Sequence, residues 1–314
     1  MTAYKRPADR VRNQHLRLLS LQVRRLQRLD PRVRGLLWIA LSGLVFVLLN
    51  VVLRRLSQQL HPMQAQFLRY LAAMVVMLPV ALRGGWRSCW PVRPVGQVSR
   101  GALHTMGLLL WFVALPNIPL ADTTAIGFIQ PMFIMLGAWL FLHEAMRWER
   151  WVAAIVGFTG VMVVVGPRLS GDAGWYHLLM LSSCPIFAAS FLLNKALTRY
   201  ETVNVIVLWQ AVTVTLLSLP LALWYWQTPT LGHWVLVLLS GVFGAGGHYC
   251  QTRGLAIAEA SLTQSIRFLD LVWAAFAGYV FFGDAPTATT LLGGAIISVS
   301  TLWIAQRESR RSAG

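Results

Sequence analysis

Residues 126–144, IGFIQPMFIMLGAWLFLHE, and 151–167, WVAAIVGFTGVMVVVGP, are two apolar runs separated by a short charged break. The arrangement returns at 265–284, SIRFLDLVWAAFAGYVFFGD, and 290–305, TLLGGAIISVSTLWIA. At a constant shift of 140 residues, Glu144 falls on Asp284 and Ala153 on Gly293. Further upstream the correspondence continues at shifts of 144 and 141: LLN at 48–50 matches 192–194, and Leu78-Pro79 matches Leu219-Pro220. Self-similarity over so long a period makes the chain two copies of one unit.

Working outward, a lipid-spanning helix needs about 20 mostly apolar residues, because its backbone must satisfy its own polar groups across the hydrocarbon. Ten such spans can be drawn, near 35–53, 64–82, 98–115, 121–142, 150–166, 175–194, 203–225, 233–252, 260–282 and 287–305. The third is poor in apolar residues before Met106, the fifth is short, and Gly244 to His248 interrupts the eighth. Five spans per copy is an odd number, so the second copy must enter the membrane from the opposite face. The expected fold is an all-α integral membrane protein of ten transmembrane helices in two inverted five-helix repeats. These cover 35–167 and 173–306, between a basic arm (1–34) and a tail (307–314).

Composition agrees. Of 314 residues 56% are hydrophobic and only 12% charged, with mean hydropathy +0.59. That excludes an ordinary soluble enzyme and a disordered chain. Three distant cysteines exclude a disulfide scaffold. The formal charge of +16 is a matter of sidedness: 22 of the 27 cations fall on the face of the N-terminus and 3 on the other, with Arg69 and Arg267 inside spans. Cations concentrate in cytoplasmic loops, so both termini are expected there, in a bacterial inner membrane. The arm carries Leu16, Leu19, Val23 and Leu26 as a stripe among arginines. It either lies as a helix on the anionic inner leaflet or is a tail that orients the chain. Nucleic acid is excluded as a partner, because these cations form no folded groove.

The sequence resembles the EamA-type members of the drug/metabolite transporter superfamily over about residues 35–308. The resemblance rests on Pro131-Met132-Phe133 leading to Glu144, Arg150-Trp151, Gly157-Phe158-Thr159-Gly160-Val161 ending at Pro167, Phe282-Gly283-Asp284, and Gly293-Gly294. It implies a carrier in which helices 1–4 and 6–9 surround a cavity, helices 5 and 10 lie at the periphery, and small metabolites cross by alternating access. Asp284, where Glu is more usual, and the basic arm depart from the family pattern. The residues themselves agree on helices 5 and 10. Both lack interior ionisable groups and carry small-residue packing pairs, Ala153 with Gly157 and Gly294 with Ser298.

Ionisable groups inside a span are costly and are therefore functional candidates. Arg267 and Asp270 share a helical face, with Gln264 a turn earlier. They are either a polar centre, with Arg267 binding a carboxylate, or a self-neutralising pair that fixes the helix to a neighbour. Arg69 either faces the cavity or snorkels; Gln210, its counterpart at a shift of 141, favours the cavity. His104 and His248 occupy comparable places in spans three and eight and either bind substrate or pack. Asn50 and Asn194 correspond as interhelical hydrogen-bonding residues. Asp122 reads as a helix cap. Pro131 should kink the fourth span beside Gln130, and Gly244, Gly246 and Gly247 should loosen the eighth. Trp111, Trp139, Trp209 and Trp273 either line the cavity or form interfacial and core contacts.

Metallohydrolase, phosphate-loop and Cys-x-x-Cys signatures are absent from the sequence, so no enzyme, metal or cofactor is expected. The reading is a secondary transporter of small organic metabolites, amino-acid-like or amphiphilic, with a lipid-linked substrate translocase or membrane lipid enzyme as the alternative. Proton coupling through Asp270 or a histidine is one hypothesis, and a homodimer stays open.

Overall fold

The computed structural model describes residues 30–114, 126–127, 129–144, 148–149, 151–152, 155–156, 158–159, 174–267 and 269–283, with 288, 292, 295–296, 299 and 303. Residues 1–29 of the arm, Asp122, Ala153, Gly157, Asp284, Gly293, Gly294 and Ser298 lie outside the described residues.

Every regular element among the described residues is a helix. The elements are α1 (Pro31–Ser57), α2 (Pro62–Leu82), α3 (Pro94–Ala114), α4 (Gln130–Leu142), α5 (Gly174–Leu197), α6 (Val203–Trp224), α7 (Leu231–Ile257), α8 (Ala260–Arg267) and α9 (Leu269–Phe282), with a single 3-10 turn at Trp86–Cys89. Five of them, α1, α2, α5, α6 and α7, are long and apolar enough to cross a membrane. The starts follow from local chemistry. Pro31 opens α1, and the Asp30 carboxylate accepts the Arg32 N–H at 2.7 Å. Thr202 Oγ1 caps α6 by accepting the Val205 N–H. At α7, Thr230 and His233 cap each other reciprocally.

Two sequence expectations are corrected here. The eighth span is not interrupted: α7 runs unbroken from Leu231 to Ile257 through Gly244, Gly246 and Gly247. Its glycines bring neighbours close rather than opening the helix. A Cβ on Gly247 would stand 2.7 Å from the Phe46 ring of α1, and one on Gly254 2.7 Å from Ile39. Pro131 does not kink a continuous helix either. It sits in the first turn of α4, which begins at Gln130, where a missing N–H breaks no ladder bond. Among the described residues the prolines inside helices are Pro79, Pro185 and Pro220.

Helix α1 lies along α7, α3 along α5, and α2 along α6; α2 also meets α7, and α3 meets α6. Helix α4 packs on α5, and α8 and α9 pack on α1. The α7–α8 corner is clamped from two directions. Lys195 Nζ donates to the carbonyls of Leu255 and Ala258, both at 2.7 Å. The Glu144 carboxylate accepts the backbone N–H groups of Ala260 (2.8 Å) and Ser261 (3.0 Å) and the Ser261 hydroxyl (2.8 Å). Elsewhere, Gln64 on α2 holds Gln227 beyond α6 through both amide ends, at 2.6 and 2.9 Å.

Candidate functional site

Where α2, α3, α6 and α7 converge, the interior is polar. Tyr70 of α2 is its hub: the hydroxyl lies 2.8 Å from His104 Nε2 on α3 and 3.5 Å from His248 Nε2 on α7. One O–H can donate to one imidazole and accept from the other, so the two rings take complementary tautomers. Their centroids are 5.5 Å apart. Phe46 of α1 stands edge-on to His248 at 5.0 Å, and Phe187 of α5 edge-on to His104 at 5.3 Å. Five rings from five helices thus form one side of the site.

Two arginines form the other. Arg69, 7% exposed, holds its guanidinium 4.7 Å from the Tyr70 ring centroid. It fills the space over Gly244, where a Cβ would lie 3.3 Å from Arg69 Nε. Arg100, 2% exposed, donates through Nη1 to the Ile206 carbonyl at 3.0 Å and through Nη2 to Gln210 Oε1. Among the described residues no carboxylate pairs with either arginine. Several buried polar atoms there have no hydrogen-bond partner: Arg69 Nε, Arg100 Nε, Gln210 Nε2, His248 Nδ1, and both amide ends of Gln66 and Gln97. Gln66 lies one turn from Arg69 and Tyr70, and Gln97 one turn from Arg100, on the same helical faces.

Of the residues singled out from the sequence, the structure brings Arg69, Gln210, His104 and His248 together. Arg267 and Asp270 pair with each other at 3.6 Å, with side chains 23% and 25% exposed, and no contact joins them to the Tyr70 hub among the described residues. Asp270 rests on Gly43 of α1, and Arg267 lies 5.8 Å from the Phe191 ring centroid. Gln264 is fully buried in α8, where its amide donates to the Ala260 carbonyl and Thr263 Oγ1, each at 3.1 Å. Gln130 is half-buried at the start of α4. Asn194 links α5 to α7 through Thr252 at 3.1 Å, whereas Asn50 is exposed. Trp209 donates to the Cys89 carbonyl at 2.8 Å, Trp111 is half-buried, Trp139 is exposed, and Trp273 lies at the edge of exposure.

Sequence reasoning missed Arg100, Tyr70, Gln66 and Gln97. The sidedness count takes Arg100 as one of the 22 cations on the face of the N-terminus rather than as a residue inside a span; the structure buries it in the second turn of α3. The available signal was its spacing: Gln97, Arg100 and His104 fall on one helical face.

The interior of this multi-pass helical membrane protein thus gathers cationic and aromatic groups from five helices. The chain belongs to the EamA-like transporter family, which matches residues 33–166 and again residues 174–306, and it is a small-metabolite transporter. It is 36% identical over 282 residues to a riboflavin transporter of Rhizobium johnstonii, covering 89% of this chain and 93% of that one. It is 29% identical over 282 residues to an S-adenosylmethionine uptake transporter of Rickettsia prowazekii, covering 90% and 96%. A solved crystal structure shares the fold with a TM-score of 0.71 at 18% identity, over 88% of this chain and 99% of that one.

Proposed function

We propose that the chain is a secondary transporter that moves a small organic metabolite by alternating access through ten helices arranged as two inverted repeats. The packing pattern carries this reading. Exchanging the halves turns the α1–α7 contact into α5–α3, α2–α7 into α6–α3, and α4–α5 into the contact of α8 and α9 with α1, while α2–α6 maps onto itself. A pseudo-two-fold of this kind makes two gating states similar in energy. The two family matches, over 33–166 and 174–306, support a division into the repeats 35–167 and 173–306. The cation count supports cytoplasmic termini in a bacterial inner membrane, with the arm against anionic lipid.

In this reading the substrate meets Arg69, Gln210, His104 and His248, together with Tyr70 and Arg100. Arg267 and Asp270 compensate each other and hold α9 to α1. Gln264 supports α8, and Gln130 with Pro131 belongs to the moving part. Riboflavin and S-adenosylmethionine, the named cargoes of the two relatives, are the first compounds to try. The reading includes no catalytic step; the family supports transport over a lipid enzyme or a lipid translocase.

The test is uptake into proteoliposomes containing the purified protein, with labelled riboflavin and S-adenosylmethionine, with and without an imposed pH gradient. Saturable uptake of either compound, lost in the Arg69→Gln, Tyr70→Phe double variant, is the expected result. Full uptake by that variant in correctly inserted form overturns the site.

A further inference from the structure

We infer that the site at Tyr70 selects substrates carrying an oxyanion, a carboxylate or phosphate, attached to a planar group. The inference rests on the reading that this cluster receives the substrate. It starts from an imbalance. Arginine keeps its charge at every accessible pH, and a buried charge must be paired or solvated by strong dipoles. Among the described residues Arg69 makes no hydrogen bond, and its guanidinium lies against the Tyr70 ring. Arg100 spends two donors on a carbonyl and an amide oxygen, neither of them charged.

The unmatched atoms are mostly donors. Arg69 Nε, Arg100 Nε, Gln210 Nε2, and the amide nitrogens of Gln66 and Gln97 are all buried without acceptors. Two guanidiniums and three amide N–H groups without a carboxylate among the described residues form a site lacking an acceptor of negative charge. A fork-shaped guanidinium matches the two oxygens of a carboxylate or phosphate. The aromatic side adds the second requirement. The rings of Tyr70, His104, His248, Phe46 and Phe187 offer edges and faces to a flat ligand body.

Matched pairs of compounds that differ in the oxyanion alone test this: riboflavin 5′-phosphate against riboflavin, S-adenosylmethionine against its decarboxylated form, and benzoate against benzamide. Thermal stabilisation of the detergent-purified protein reads binding, and proteoliposome uptake of the same compounds reads transport. The oxyanion-bearing member is expected to stabilise the wild type more in each pair. Arg69→Gln should weaken that member about tenfold or more relative to its neutral partner, and Arg69→Lys should restore part of the difference.

Equal stabilisation by both members of every pair, or stabilisation by none of the compounds, overturns the inference. Stabilisation by phosphatidylglycerol alone, with no response to the soluble anions, assigns the oxyanion to a lipid headgroup and also overturns it. Binding that discriminates for the oxyanion without any uptake supports the selectivity and refutes transport. Uptake without discrimination does the reverse, so the two readings fail separately.

Discussion

Two arginine sites in this molecule solve opposite problems. Arg267 has its counter-ion three residues away, and both side chains are half-buried. Arg69 and Arg100 are at least nine-tenths buried among helices that bring them rings, amides and a carbonyl but no acid among the described residues. The first arrangement is complete as it stands. The second is stable only because strong dipoles and a π-face offset part of the desolvation cost. Charge inside a span thus marks a candidate, and the lack of an internal partner separates a site awaiting a ligand from a structural pair.

The sharpest way to break the comparison is Arg100→Leu. It leaves the Ile206 carbonyl and Gln210 Oε1 without their donor, so transport should be abolished and stability should fall by about 1–3 kcal/mol, read by proteoliposome uptake and urea unfolding in detergent. Glu144→Ala strips three accepted hydrogen bonds from the start of α8. Loss of such a cap costs about 0.5–2 kcal/mol, visible as a lower Tm with correct insertion retained.

Gly244→Ala sets a methyl 3.3 Å from Arg69 Nε, the flexible end of a long side chain. The arginine should shift, lowering substrate affinity while Tm changes little; an unchanged affinity would mean that Arg69 is not held at the site by this surface. The smallest effect is expected from the double variant Arg267→Gln, Asp270→Asn. A partly exposed ion pair contributes about 0–1 kcal/mol, so uptake should stay near wild type. Its abolition in well-inserted protein would reverse the roles of the two sites.

The helix positions were largely legible, because hydropathy over 20 residues reports directly on the need to satisfy backbone groups in lipid. The drawn span 203–225 became Val203–Trp224, and 64–82 became Pro62–Leu82. The site was legible in part. Arg69, Gln210, His104 and His248 stand out as polar letters in apolar runs. Arg100 does not, since Pro94, Gly96, Gln97 and Ser99 give the start of α3 the composition of a loop. At the shift of 144 that relates His104 to His248, Arg100 corresponds to Gly244, so the repeat offers no polar partner to flag it. Tyr70 was hidden differently: its role depends on two histidines 34 and 178 residues away. The glycines of α7 misled because sequence alone does not say whether a small residue loosens a helix or receives a neighbour. Phe46 and Ile39 decide for the second.

The uncompensated arginines have an electrical consequence. If water reaches the site from one face at a time, the potential drop passes from one side of these charges to the other whenever the carrier switches. Each elementary charge then exchanges about 2.3 kcal/mol per 100 mV with the membrane voltage. An empty carrier displaces the charge of both arginines, whereas one holding a monoanion displaces one unit less. Membrane voltage therefore acts more strongly on the return of the empty carrier than on the loaded step, although the arginines' own charge cancels over a full turnover and the net charge moved is that of the cargo.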